Sequence, residues 1–163
     1  ISLNGYRIER FANGNGADNS ASFVLPAETL APGETWVVAN NQTGFDTEYG
    51  ALGLTNVSIS GIISGNGNDT YALVLGDTVQ NGGVVIDIYG EIGVDGTGEA
   101  WAYTDSVATR LDTVLFPTPV WDAAEWTITS GSGAATPGTL DAPVDTDPGD
   151  TDPGVTPIVT DIV

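Results

Sequence analysis

The sequence predicts an all-β fold, and three observations carry that expectation. Apolar or alternating runs of about four to six residues recur, Gly, Asn and Pro separate them, and Leu-Ala-Glu-Lys heptads are absent. Tyr6-Arg7-Ile8-Glu9-Arg10-Phe11 alternates apolar and charged residues, the mark of a half-buried strand. Asn13-Gly14-Asn15-Gly16 ends it with residues that tolerate positive φ. A second short strand is expected over 21–25. Ala31-Pro32-Gly33-Glu34 reads as a type II turn, and Thr35-Trp36-Val37-Val38-Ala39-Asn40 as an apolar strand of the fully buried kind. Residues 41–70 read as irregular, with one weak strand near 57–63. The pattern then sharpens. Tyr71-Ala72-Leu73-Val74-Leu75 and Val84-Val85-Ile86-Asp87-Ile88-Tyr89 make a hairpin pair around a Gly76–Gly83 loop. Residues 108–114 alternate again. Asp122 caps a single helical turn before Trp126-Thr127-Ile128.

Charge and composition narrow the function. The 163 residues hold 3 Lys+Arg, 22 Asp+Glu and neither His nor Cys, for a net charge of -19. Without His or Cys there is no Ser-His-Asp triad, no Cys nucleophile, no thiolate or imidazole zinc site and no disulfide. Three Arg against 22 acids cannot grip a phosphate backbone, so no direct nucleic-acid binding is expected. No apolar run is long enough to span a bilayer. An acidic surface without Lys suits a secreted protein in salty water, where screening limits self-repulsion.

The chain divides into three parts. Residues 1–140 hold the predicted strands and sixteen of the acids. Residues 141–155 carry Asp145-Thr146-Asp147-Pro148-Gly149 and its repeat Asp150-Thr151-Asp152-Pro153-Gly154, an extended, self-repelling linker. Residues 156–163 are apolar and β-branched, a strand candidate that either opens a next domain or acts as a donor strand.

Five segments in order carry a family resemblance. They are Leu3-Asn4-Gly5-Tyr6-Arg7-Ile8, then Leu30-Ala31-Pro32-Gly33-Glu34-Thr35-Trp36-Val37-Val38-Ala39-Asn40, then Asn66 to Leu75, Val84 to Trp101, and Arg110 with the Trp121…Glu125-Trp126 end. Over about residues 2–138 the chain resembles the bacterial lamin-tail-like domain. The resemblance implies an immunoglobulin-like β-sandwich. It also implies a place beside the catalytic domain of secreted bacterial nucleases of the endonuclease/exonuclease/phosphatase type. The module itself has no catalytic residues in that family, so none is expected here. The family opens with one or two strands ahead of the segment matched by Leu3–Ile8. Their place would be filled by residues outside this sequence, by another chain or by the terminal strand.

Binding residues are sought on the loops. Calcium wants six to eight oxygens, and three loops offer them: Asn13, Asn15 and Asp18; Asn66, Asn68 and Asp69; Asp95 and Glu99. The competing reading is that Asn, Asp and Gly form turns through their own hydrogen bonds. Trp101 and Trp121, near turns, are candidate sugar-stacking aromatics, set against the commoner role of closing a core. Ile158, Val159, Ile162 and Val163 are the candidate assembly residues, through which an identical subunit could be joined by strand complementation into an oligomer or filament. The other expected partners are further domains of the parent chain. Arg7, Arg10 and Arg110 should each pair with a carboxylate, Arg110 in a buried bidentate pair.

Overall fold

The computed structural model describes residues 1–131, 135–139 and 161–162. Strands dominate it, in mostly antiparallel sheets, with one α-helix. The strands are β1 (Tyr6–Phe11), β2 (Ala21–Val24), β3 (Val37–Ala39), β4 (Val57–Ile59), β5 (Thr70–Leu75), β6 (Val84–Tyr89), β7 (Ser106–Arg110), β8 (Trp126–Ser130) and β9 (Asp161–Ile162); the helix is α1 (Gln42–Tyr49). Strand order is β2-β1-β5-β6 in a four-stranded sheet, β3-β4 in a two-stranded sheet and β8-β7-β9 in a three-stranded one.

β5 is central and reads as an unbroken apolar run because both its faces are covered: five of its six residues are buried. On one face, Tyr71 packs with Tyr89, Trp101, Tyr103, Ala108 and Trp126, which joins the four-stranded sheet to β7 and β8. Leu73, further along that face, meets Leu3, Leu25, Leu30, Trp36 and Val38, which joins it to β3. On the other face, Ala72 and Val74 pack with Phe11 and Ile88 beneath Ala17, Val79, Ile92 and Trp121. The alternation of side chains along one strand thus feeds three packed clusters.

The expected hairpin of β5 and β6 is present and antiparallel. A register shift between Leu73 and Val74 sets Leu73 opposite Asp87 and Val74 opposite Val85. The type II turn also forms: Glu34 N donates to Ala31 O at 3.0 Å and Gly33 has φ of +81°. Asp122 caps its short turn, accepting from Ala124 N at 2.9 Å.

Four expectations need correction. The stretch 41–70 is not irregular throughout, because α1 starts at Asn41, whose side chain accepts from Gly44 N at 2.7 Å. The helix has a topological reason: β3 and β4 are parallel, and parallel neighbours need a crossover between them. β3 is half-buried, not fully buried, because its sheet has two strands. The weak strand expected over 57–63 ends at Ile59, where a turn closes through Ile63 N to Ser60 O. The strand expected over 108–114 is shifted earlier to Ser106–Arg110, and a turn from Val114 N to Leu111 O follows it.

Candidate functional site

Three loops meet at one end of the four-stranded sheet, and a single amide ties them. Asn68 Nδ2 donates to Asp95 Oδ1 at 3.0 Å and to Thr97 Oγ1 at 3.0 Å, with Asn13 Oδ1 at 3.4 Å. Backbone bonds reinforce the junction: Gly96 N to Asn68 O at 3.1 Å and Gly93 N to Asn15 O at 3.2 Å. The approach is close at Gly14, where a Cβ would lie 2.8 Å from Asp95 N. Asp69 anchors the first loop by accepting from Asn13 N at 3.0 Å, and its other oxygen faces Arg10 at 3.7 Å. Hydrogen bonds from the backbone N–H and hydroxyl of Thr97, with Asn68 adding to them, hold the Asp95 carboxyl below its usual range.

Of the eight residues proposed as oxygen ligands, the structure gathers Asn13, Asn68, Asp69 and Asp95. Asn15 joins through its backbone, while its side chain turns to Asn19 O at 3.3 Å. Asp18, Asn66 and Glu99 are exposed and take no part in the hydrogen bonds that tie the group. The sequence reading missed Thr97, a partner of both Asn68 and Asp95. As the amide lies, a nitrogen and not an oxygen faces Asn13, Asp95 and Thr97. Its Oδ1 is buried without a partner, and turning the amide over would bring a fourth oxygen to the group. Calcium takes six to eight, so a cation here would draw the remainder from backbone carbonyls or water. Among the described residues no group of three or more His, Cys, Asp or Glu is gathered for a metal ion. The arrangement is first of all a lock between loops.

A second cluster sits between the sheets. Arg110 on β7 donates through one terminal nitrogen to Asp87 on β6 and through the other to Glu125 before β8. The guanidinium also lies 5.2 Å from the centre of the Trp126 ring. Asp87 is fully buried and takes Thr118 N at 3.1 Å as well. The bidentate pair expected of Arg110 is therefore shared between two carboxylates. Burial works against the Arg110 charge, but the bonds from Asp87 and Glu125 outweigh it and its pKa is raised. Arg7 and Arg10 pair as expected, with Asp77 at 3.5 Å and Asp69 at 3.7 Å.

The alternation in β1 would place Glu9 in solvent, yet it is fully buried. Its two oxygens accept from Val79 N at 2.9 Å and Ser20 Oγ at 3.1 Å, which satisfies both.

Trp101 is 3% exposed and its ring lies within the core, so it presents no face on which a sugar could stack. Its carbonyl accepts from the Tyr89 hydroxyl at 2.7 Å. Burial pushes the Tyr89 and Tyr103 hydroxyls well above their usual range. Trp121 is half-buried and packs edge-on against Tyr89 at 4.9 Å. An open hollow of about 470 Å³ is lined by Gly65, Asn66, Gly67, Tyr103, Asp105, Ser106 and Gly131, with one acid and no base.

Of the assembly residues, Ile162 lies in β9, which pairs antiparallel with β7: Ala108 faces Ile162 and Thr109 faces Asp161. Ile158, Val159, Val163 and the linker 141–155 lie outside the described residues. Among the described residues no helix is long and apolar enough to cross a membrane. Comparison with protein-family models, with curated proteins and with solved structures finds no match for the chain.

Proposed function

We propose that residues 1–140 are a lamin-tail-like, immunoglobulin-like sandwich that serves a larger secreted bacterial protein of nuclease type as a non-catalytic positioning or binding module. The observation that carries this reading is where the buried acids are directed. Glu9, Asp69 and Asp87 are buried, and each turns its oxygens to backbone N–H groups, a hydroxyl or an arginine of its own fold. They stabilise loops and join sheets, which is what a rigid spacer needs. The packing of β5 and β6 against β7 and β8 through Tyr71, Tyr89, Ala108 and Trp126 supports the two-layer part of the reading.

The test is made on the full-length gene product. Deleting residues 1–140 should leave turnover of short soluble DNA unchanged and abolish retention of the enzyme at its surface or on its partner. Loss of turnover on short DNA would overturn the reading, because it would place these residues in the chemistry.

A second reading, from a different class, is a structural subunit joined to others through its terminal strand. The observation that favours it is the pairing of Asp161–Ile162 with β7, which identifies an edge able to take that strand.

A further inference from the structure

β7 is flanked by β8 on one edge and β9 on the other, and it is antiparallel to both, so β8 and β9 run parallel. Ser130 ends β8 opposite Ser106, and Asp161 starts β9 opposite Thr109. Two strand spacings across and three residues along put these points roughly 15 Å apart. A parallel crossover closes with about a dozen residues. The intervening segment, 131–160, has about 30 residues and an extended reach of roughly 90 Å at the rise of a Pro-rich chain. Asp141, Asp145, Asp147, Asp150 and Asp152 fall within it and repel one another. The connection is several times longer than return to its own sheet requires.

We propose that the β7 edge is a strand-acceptor site, and that at high protein concentration its occupant is the terminal strand of a second copy of this chain, in the register seen here. This rests on the connector reading above and commits it to one occupant and one register. Whatever the strand gains on its own β7 it gains equally on a neighbour's, since the contacts are identical. Two copies that exchange strands reciprocally close as a dimer, and copies that pass the strand onward extend into open chains. The long acidic connection lets two strongly negative bodies stay beyond a Debye length of about 8 Å at physiological salt while the strand is shared. Docking still brings an acidic connection against a negatively charged neighbour, so added salt should promote exchange.

The chain has no cysteine, so engineered thiols report on register directly. Facing positions in an antiparallel pair fall within disulfide reach, and hydrogen-bonded and non-bonded pairs alternate. Both Thr109→Cys with Asp161→Cys and Ala108→Cys with Ile162→Cys are therefore made. Each pair is prepared within one full chain, and also split between two chains that are mixed, then oxidised at low and high concentration and salt. Expected are a mixed disulfide between split chains, absent when either single-site chain is oxidised alone, and crosslinked dimers or larger species in the double variants that grow with concentration and salt. A double variant that closes only on itself at every concentration overturns exchange. Equal crosslinking of single-site chains alone also overturns it, because that is collision of exposed thiols. If light scattering shows assembly but neither pair crosslinks, the connector reading stands and β7 is the wrong acceptor; if no assembly forms, both fail.

Discussion

Two regions of the molecule, adjacent in sequence, are held in opposite ways. Residues 31–66, which include β3, α1 and β4, contain no buried residue. In residues 67–74 every residue is buried, including Asn68, Asp69 and Thr70. The first region is held by backbone hydrogen bonds, a helix cap and a few half-buried contacts such as Trp36 and Val38, and the second by packed rings and satisfied polar groups. Stability in this chain should therefore be uneven: the first region opens locally, while opening the second means global unfolding.

The sharpest way to break that contrast is at the buried charge cluster. Arg110→Met leaves Asp87 buried beside a lost cation and should lower global stability by about 3–5 kcal/mol, read from the denaturant midpoint. A loss below about 1 kcal/mol would show that the cluster is not what joins the sheets. Next in size, Asn68→Ala should cost about 1–3 kcal/mol and speed amide exchange in loops 12–16 and 93–97 together. Exchange rising in one loop alone would mean the amide is not their common tie. The same variant decides the calcium expectation. A thermal midpoint raised by calcium in the wild type and not in Asn68→Ala marks a cation cluster, and equal midpoints mark an amide lock.

Smaller again, Asn41→Ala should destabilise α1 by about 1 kcal/mol. In a region without buried residues that loss should appear as faster exchange at Gly44, Phe45 and their neighbours, with the global midpoint unmoved. A shifted global midpoint would join the two regions into one cooperative unit. The smallest effect is at Asp95, which is exposed. Its folded pKa lies below the ordinary 3.8, so its stabilising contribution is complete above that value and lost as pH falls through the depressed one. The stability difference between wild type and Asp95→Asn should be constant at neutral pH and shrink below pH 3.8. A difference that widens in acid would reverse the sign.

The well-packed region was the legible one. β5 and β6 announce themselves as apolar runs, and Arg110 stands out as a lone cation in an alternating strand. α1 was illegible because Gln42-Thr43-Gly44-Phe45-Asp46-Thr47-Glu48-Tyr49 has no apolar stripe, holds a glycine and buries nothing. Its signal was Asn41 as a cap. Glu9 misled because alternation places a residue on a face without saying what covers that face, and here Val79 and Ser20 do. Asp87 was the missed counterpart of Arg110, and the acid inside Val84-Val85-Ile86-Asp87-Ile88-Tyr89 was the available sign. The loop cluster was half legible: residue types pointed to the right three loops, but Thr97 and the direction of the Asn68 amide depend on contacts between distant segments. Trp101 illustrates the same limit, since nearness to turns did not keep it from the core.

The scarcity of cations has a practical consequence. A protease that cuts after Lys or Arg finds three sites in the whole chain: Arg7 and Arg10 within β1, and Arg110 at the end of β7. All three are paired with acids, and none can enter a protease cleft while its strand stays in its sheet. Limited digestion with such an enzyme becomes a two-channel reporter, one fragment pattern for β1 leaving the four-stranded sheet and another for β7 leaving the three-stranded one.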